Sequence, residues 1–401
     1  MSHHDQIRLA VVGAGRGRCY ADAAVALGAG ARLAAVCDVR EEALAPWRSV
    51  ADVRSFDRLD ALLADDRIDA IVLATPAPLH ARQAIQALAA GKHVLSEVPS
   101  AYSLDECADL VAAVDRSGLT YMLGENYCFR RDCMMVEEMV RRGVFGDIVS
   151  AEGHYIHDCR ELMFHPDGTE TWRGEMFRTR RGNIYPTHSL GPVARWLDIP
   201  GSDRFARLSS WGSRALNASA YARRAFGDSH PGARPEAWSM PDRVTTVLGT
   251  ERGVIVTHHF DPVSPRPHHM ADYQLQGTRA AFTAAADAEG DPLVWIAGKS
   301  PANARGIATA WDPLWKHADE FEHPSWRAHG QDAMRAGHGG GDFFVLREFV
   351  DAIRGERLPS IDVRAGVAWS CISALSAASI AAGNATVAVP DVAAPRAAAT
   401  R

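Results

Sequence analysis

No stretch restricts this chain's fold as much as its start, where a short apolar run, Ile7 to Val12, meets Gly13-Ala14-Gly15-Arg16-Gly17-Arg18. A helical pattern follows through Ala29, and a second apolar run, Arg32 to Cys37, ends in Asp38. Strand, glycine turn, helix, strand and acid succeed one another in the length a dinucleotide-binding unit needs. Gly13 permits the tight turn, and Gly15 lets the backbone approach a pyrophosphate at the helix N-terminus, where amides and the helix dipole favour an anion. Asp38 lies 21 positions after Gly17, where a carboxylate accepts hydrogen bonds from the adenosine ribose. It also repels a 2′-phosphate, which favours NAD over NADP, with Arg40 nearby pulling the other way. The pattern asks for a third glycine at position 18. Arg18 stands there instead, and Gly17 comes one place early.

The alternation continues. Asp57 to Leu63 reads as a short helix and Asp69 to Leu73 as a buried parallel strand running into Ala74-Thr75-Pro76. A helix from His80 to Ala90 stops at Gly91. The strand Lys92 to Leu95 ends at Ser96-Glu97-Val98-Pro99. Ser103, followed three residues later by Glu106, opens a helix to Ser117 with a capping box, and Thr120 to Leu123 runs into Gly124-Glu125-Asn126. Strands that end in loops on one edge are where an open α/β sheet binds its ligand.

At 401 residues the chain is too long for one ordinary core. The expected division is a doubly wound dinucleotide-binding domain over 1–126, an α+β domain over 127–390 and a disordered Ala/Pro-rich tail over 391–401. A net charge of -6 and a pI near 6.3 offer no basic face to nucleic acid or to an anionic membrane. Seven scattered cysteines without a CxxC pair argue against a disulfide framework and point to a reducing compartment, the cytoplasm by default. No signal peptide and no apolar run long enough to span a bilayer is read.

In the second half, Met134 to Arg142 is an amphipathic helix and Ile148 to Ile156 an alternating strand. Val244 to Gly249, Gly253 to His259 and Asp272 to Gln276 form a meander, the expected start of an open, mainly antiparallel sheet. Asn217 to Met240 and Gly298 to Arg335 read as loops. Trp311, Trp315 and Trp326 in the latter pin the loop to its own domain or stack on sugars, with pinning favoured. Arg181 to Val193, R-G-N-I-Y-P-T-H-S-L-G-P-V, sets Tyr185 and His188 three positions apart around Pro186. On a helix entered near Thr187 both side chains project from the first turn, and a phenol beside an imidazole passes protons near neutral pH. A Tyr and a His capping a helix in the core is the competing reading, at even odds. His338 and Asp342 precede a helix from Phe343 to Arg354, with Asp342 read as its N-cap. Histidines 154, 157, 165, 188, 258, 259, 268 and 269 follow no metal-binding spacing, and adjacent histidines on a strand point to opposite faces. No metal is expected.

The succession G-A-G-R-G, A-T-P-A-P-L-H at 74–80 and G-K-H-V-L-S-E-V-P at 91–99 resembles the Gfo/Idh/MocA family of nicotinamide-dependent sugar enzymes. That family's usual E-K-P carries a lysine that serves in catalysis, and this chain has Val98 there. Together with Glu125-Asn126, Trp172-Arg173, G-N-I-Y-P-T-H-S-L-G-P-V at 182–193 and G-H-G-G-G-D-F-F at 337–344, the chain resembles the NAD-dependent glycoside hydrolases of family 109, α-N-acetylgalactosaminidases by their named activity. Two positions depart from the group: His268 replaces an expected aromatic hydroxyl, and Ser189 stands where the group commonly has glycine.

The resemblance implies an N-terminal Rossmann fold, tightly bound NAD and a small-molecule carbohydrate or glycoside substrate. It also implies assembly as a homo-oligomer, dimer or tetramer. Cofactor contacts would come from Gly13, Gly15, Arg16, Gly17, Asp38, Thr75, Pro76, His80, Glu97, Val98 and Asn126. Sugar contacts would come from Glu125, Arg173, His268 and His338, with Tyr185 and His188 catalytic. The reaction implied is transient oxidation at C3 of the sugar, loss of the C2 proton, elimination at C1 and addition of water, with NAD recycled. The alternative is an NAD-dependent sugar or cyclitol dehydrogenase that uses Tyr185 and His188 in place of the family lysine. A non-catalytic NAD-binding sensor is a third possibility, disfavoured by the Tyr185/His188 pair.

Overall fold

A computed structural model describes residues 6–267, 269–287 and 290–392. His268 and the tail from 393 onward lie outside the described residues. The chain forms two compact units, one from Met1–Arg131 with Pro324–Cys371 and the closing Asp391–Arg401, the other from Asp132–His323 with Ile372–Pro390. The helix at Gly341–Ile353 therefore packs in the first unit, although it follows most of the second unit's strands in sequence.

In the first unit six strands form one parallel sheet: β1 (Ile7–Val12), β2 (Ala31–Cys37), β3 (Arg54–Phe56), β4 (Ala70–Leu73), β5 (His93–Ser96) and β6 (Tyr121–Leu123). Their order is β3-β2-β1-β4-β5-β6, and every neighbouring pair is parallel. The order reverses between β1 and β4, so the loop after β1 opens at the topological switch point. Strands β4 and β6 are buried at every residue, as expected of parallel strands covered on both faces. Strand β3 was not anticipated; three residues with one exposed carry too little pattern to be read. The expected capping box is present: Ser103 Oγ accepts from the Glu106 N–H at 3.1 Å, and Glu106 Oε2 accepts from the Ser103 N–H at 3.1 Å.

The second unit is built on nine strands: β7 (Ile148–Ile156), β8 (Phe205–Gly212), β9 (Val244–Thr250), β10 (Ile255–Asp261), β11 (His269–Gly277), β12 (Ala280–Thr283), β13 (Leu293–Ile296), β14 (Asp312–Pro313) and β15 (Val387–Ala388). They run β14-β13-β12-β11-β7-β10-β9-β8-β15. Only β10 and β7 pair in parallel; the other pairs are antiparallel. One face is core, with Ala151, Tyr155, Val256, Phe260, Leu248, Tyr273 and Leu275 buried. The other alternates toward Val247 and Ile255, both exposed. Helix Thr187–Trp196 lies on β7 and β11. Its close approach depends on Gly153, where an added Cβ would come within 2.1 Å of the Ser189 carbonyl oxygen.

Two expected loops contain helices. Asn217–Phe226, N-A-S-A-Y-A-R-R-A-F, is helical because Ala and Arg favour it and Gly227, at φ 93°, ends it. The turn-forming residues cluster only beyond it. Pro324–Ala333 is the second, with Trp326 buried and its indole N–H donating to the Phe129 carbonyl at 3.0 Å. Trp326 thus pins the segment, whereas Trp311 is exposed. Contrary to the expectation that no apolar run is long enough to span a bilayer, Val363–Ala381, 19 residues, is long and apolar enough by composition to cross one. Of that stretch 72% is buried in the protein, the environment of a core helix.

Candidate active site

The glycine loop of the first unit divides its work between packing and access. Gly13 sits at φ +96°, and a Cβ there would lie 2.3 Å from the Ala74 carbonyl oxygen. At Gly17 a Cβ would meet Val11 Cγ1 at 2.0 Å and the Gly13 oxygen at 2.8 Å. Gly17 therefore performs the helix-on-strand approach that the motif assigns to position 18. Gly15 is different. The nearest atom to its would-be Cβ is the Arg40 guanidinium at 3.5 Å, so its open side is free for a ligand. Asp38 is buried at the end of β2, accepting the Ala14 N–H at 3.1 Å and the Arg40 N–H at 3.0 Å. The Arg40 guanidinium lies against the same carboxylate at 3.3 Å.

Around this loop the sequence-predicted residues fall into two kinds. Arg16 pairs with Glu97 at 2.7 Å, and the buried Tyr20 hydroxyl donates to the same carboxylate at 3.1 Å. His80 is buried with Nδ1 3.0 Å from the Pro99 oxygen and Nε2 2.9 Å from the Thr75 oxygen. Burial lowers its pKa, and because a neutral ring carries one N–H it donates to one of these two carbonyls at a time. Thr75 is likewise engaged, donating to Gln83 Oε1 at 2.6 Å. Val98 is buried and carries no polar group. Glu125 is fully buried and accepts the Tyr127 N–H at 3.1 Å.

Asn126 links this region to the segment before helix Gly341–Ile353. Its Nδ2 donates to Asp342 Oδ1 at 2.8 Å, while Asp342 Oδ2 faces His338 Nδ1 at 2.8 Å. Asp342 is not the N-cap expected of it, since the helix starts at Gly341 with Gly340 as N-cap and no side-chain cap bond; it is instead a buried carboxylate that orients the His338 ring. Burial alone would raise its pKa, but the hydrogen bonds from His338 and Asn126, with Arg16 nearby, hold it below the usual carboxylate range. His338 itself adopts φ 52°, held between Gly337 and Gly339. The residues fit a dinucleotide: an open Gly15 at a helix N-terminus, an acid at the end of β2, and the buried Asn126 Oδ1, an acceptor with no hydrogen-bond partner.

In the second unit helix Thr187–Trp196 starts where the sequence places it, and Tyr185 and His188 come together with ring centroids 5.0 Å apart at 77°. Tyr155, at the end of β7, joins them; its ring lies 5.3 Å from Tyr185 and 6.2 Å from His188. The sequence reading missed Tyr155, although it stands in the motif G-H-Y-I-H at 153–157. Burial pushes its phenol well above the ordinary value, and the positive charge of Arg173 opposes that rise. The Arg173 guanidinium also covers the Trp172 ring at 4.6 Å. Among the described residues no group of three His, Cys, Asp or Glu side chains is arranged to hold a metal.

Residues 7–125 match the model of an oxidoreductase family with an NAD-binding Rossmann fold, and residues 129–397 match the glycosyl hydrolase 109 C-terminal domain. A glycosyl hydrolase family 109 protein of Stenotrophomonas maltophilia is 33% identical over 82% of this chain and 74% of its own. One from Shewanella putrefaciens is 32% identical over 96% and 85%. Among solved structures, levoglucosan dehydrogenase in complex with NADH and L-sorbose superposes with a TM-score of 0.75 at 20% identity, covering 96% of this chain and 99% of that one. The WlbA dehydrogenase of Bordetella pertussis, in complex with NADH and UDP-GlcNAcA, gives 0.69 at 18% over 97% and 99%. The chain is thus an NAD-dependent enzyme of the Gfo/Idh/MocA type and belongs to glycosyl hydrolase family 109.

Proposed function

We propose that the enzyme is a glycosidase acting on a small sugar glycoside by redox-neutral elimination and hydration. The observation that carries this reading is the pairing of Tyr185 with His188 in a chain whose E-V-P motif places buried Val98 where the family's usual lysine stands. A valine moves no proton, so proton transfer has to come from elsewhere. Tyr185 and His188 are suited to it, one a phenol and the other an imidazole that exchanges protons near neutral pH. In this reading they attend the C3 hydroxyl and the C2 proton, and Arg173, Glu125, His338 and His268 orient the sugar. Bound NAD supplies reversible oxidation at C3, which acidifies the C2 proton and lets the C1 substituent leave.

Asp38 supports NAD over NADP. The exposed Trp211, Val247 and Ile255 on the open sheet face support assembly with a second copy of the chain. Seven free cysteines support a reducing compartment.

The test uses purified protein with no nicotinamide added, offered a panel of aryl α- and β-glycosides. Aglycone release over many turnovers without net NADH supports the glycosidase. NADH that scales with added NAD, with no aglycone released, makes it a dehydrogenase and rejects the proposal.

A further inference from the structure

The loop bearing Tyr185 and His188 is tied by a run of hydrogen bonds whose direction is set at its first member. The Tyr185 backbone N–H can only donate, and it donates to Asn183 Oδ1 at 3.1 Å. That assigns the Asn183 amide, so its Nδ2 hydrogens face the His258 ring, 2.8 Å from Nδ1 and 3.4 Å from Nε2, with Nδ1 the nearer acceptor. A ring nitrogen that accepts carries no proton, so neutral His258 holds its proton on Nε2, which donates to Ser189 Oγ. The Ser189 hydroxyl then donates to the Pro186 carbonyl at 3.2 Å. The run leaves the loop at Tyr185, crosses to strand β10 and returns to Pro186, with every polar atom along it satisfied.

Asn183, His258 and Ser189 are all 0% exposed, so water does not compete for these bonds. The Asn183 N–H is held in turn by Ser376 Oγ at 2.8 Å. Burial lowers the basicity of His258, in keeping with the neutral ring the geometry requires. A protonated Nδ1 would confront the Asn183 amide hydrogens, and turning that amide over would forfeit the Tyr185 bond.

We infer that Ser189 and His258 are positioning residues, a pair that acts through Asn183 to hold the Tyr185 phenol and the His188 imidazole in one fixed relation. Ser189 Oγ is the acceptor that the His258 Nε2–H needs. A glycine there would leave the buried His258 Nε2–H without its acceptor, so the serine and the histidine depend on each other. This inference rests on reading Tyr185 and His188 as the proton-transfer pair.

Long-range proton–nitrogen spectra of the cofactor-bearing protein labelled with ¹⁵N-histidine test it without any substrate. The His258 signals, identified by their loss in His258→Gln, should report the neutral Nε2–H tautomer at pH 7. An Nδ1–H tautomer or a charged ring overturns the inference. In His258→Gln the His188 ring signals should broaden or split; a single unchanged set also overturns it. Turnover gives the second arm, with NAD content measured alongside. Ser189→Gly and His258→Gln should each lower kcat about tenfold or more, with KM within about twofold, and the double variant should be no slower than the slower single one. Multiplying losses would show the two residues acting separately and would overturn the pairing. Ser189→Ala removes only the hydroxyl and replaces the glycine variant if that one does not fold. If the wild-type protein cleaves no glycoside, the proposed reaction falls, and the spectra alone decide whether the pair positions His188.

Discussion

The Tyr273 hydroxyl donates to the backbone carbonyl of His188, joining strand β11 to the first turn of helix Thr187–Trp196. That carbonyl needs an outside donor because the residue four positions on is Pro192, which has no N–H to return. The proline inside the helix and the fully buried tyrosine beneath it are therefore one feature, and it bears on His188 directly.

Tyr273→Phe should leave the His188 carbonyl buried without a partner. The expected loss is about 1–3 kcal/mol of stability, read as a lower midpoint in urea at unchanged slope. A midpoint equal to wild type would mean that another donor replaces the hydroxyl.

Two glycines of the first loop should separate by experiment. Gly17→Ala drives a methyl into Val11 and the Gly13 carbonyl and should destabilise the protein by roughly 1–3 kcal/mol. Gly15→Ala meets only the end of a flexible arginine, so stability should change by no more than about 0.5 kcal/mol. Its NAD affinity should nevertheless fall, because the added methyl occupies the side from which the pyrophosphate approaches. Thermal unfolding and titration with NAD on the same two variants check this.

Stability should decline in mild acid through His258. Burial holds its folded pKa well below the ordinary value of 6.5, so the unfolded chain takes up a proton that the folded protein refuses. Its contribution is complete above about pH 6.5 and lost as pH falls below it, with a slope approaching 1.4 kcal/mol per pH unit. His80, lowered by the same cause, adds a slope of the same sign. In His258→Gln the fall in unfolding free energy between pH 7 and pH 5 should be shallower than in wild type. An unchanged slope would rule out His258 as a source.

Cofactor choice should turn on Asp38. With Arg40 retained, Asp38→Ala removes the charge that repels a 2′-phosphate and frees a guanidinium to meet one. The NADP-to-NAD affinity ratio should rise about tenfold or more, an effect of about 1.4 kcal/mol. A ratio that does not move would assign the preference to other residues.

Much of the fold was legible because it is written in local pattern. The apolar run into Gly13, the capping box of Ser103 and Glu106, and the alternation from Ile148 to Ile156 each depend on residues within a turn or two of one another. The helix at Asn217–Phe226 was hidden by the prolines and glycines that follow it, and β3 by its brevity. Tyr185 and His188 were legible as a pair because three positions separate them on one helix start. Their supports were not. His258 lies 75 residues from Asn183, Tyr273 lies 85 from His188, and Asp342 lies 216 from Asn126.

The sequence by itself determined the βα alternation, the dinucleotide loop, the helix start that joins Tyr185 to His188, and the loss of a proton-carrying side chain at Val98. Turn chemistry, capping and periodicity act over a few residues and need no knowledge of what lies across the core. Only the tertiary structure decided that Gly17 does the packing expected of position 18, that Asp342 orients His338, and that Tyr155 completes the aromatic cluster. It alone fixed the tautomer of His258, because a buried polar atom is defined by the partner that satisfies it, and strand pairing chooses that partner from anywhere in the chain.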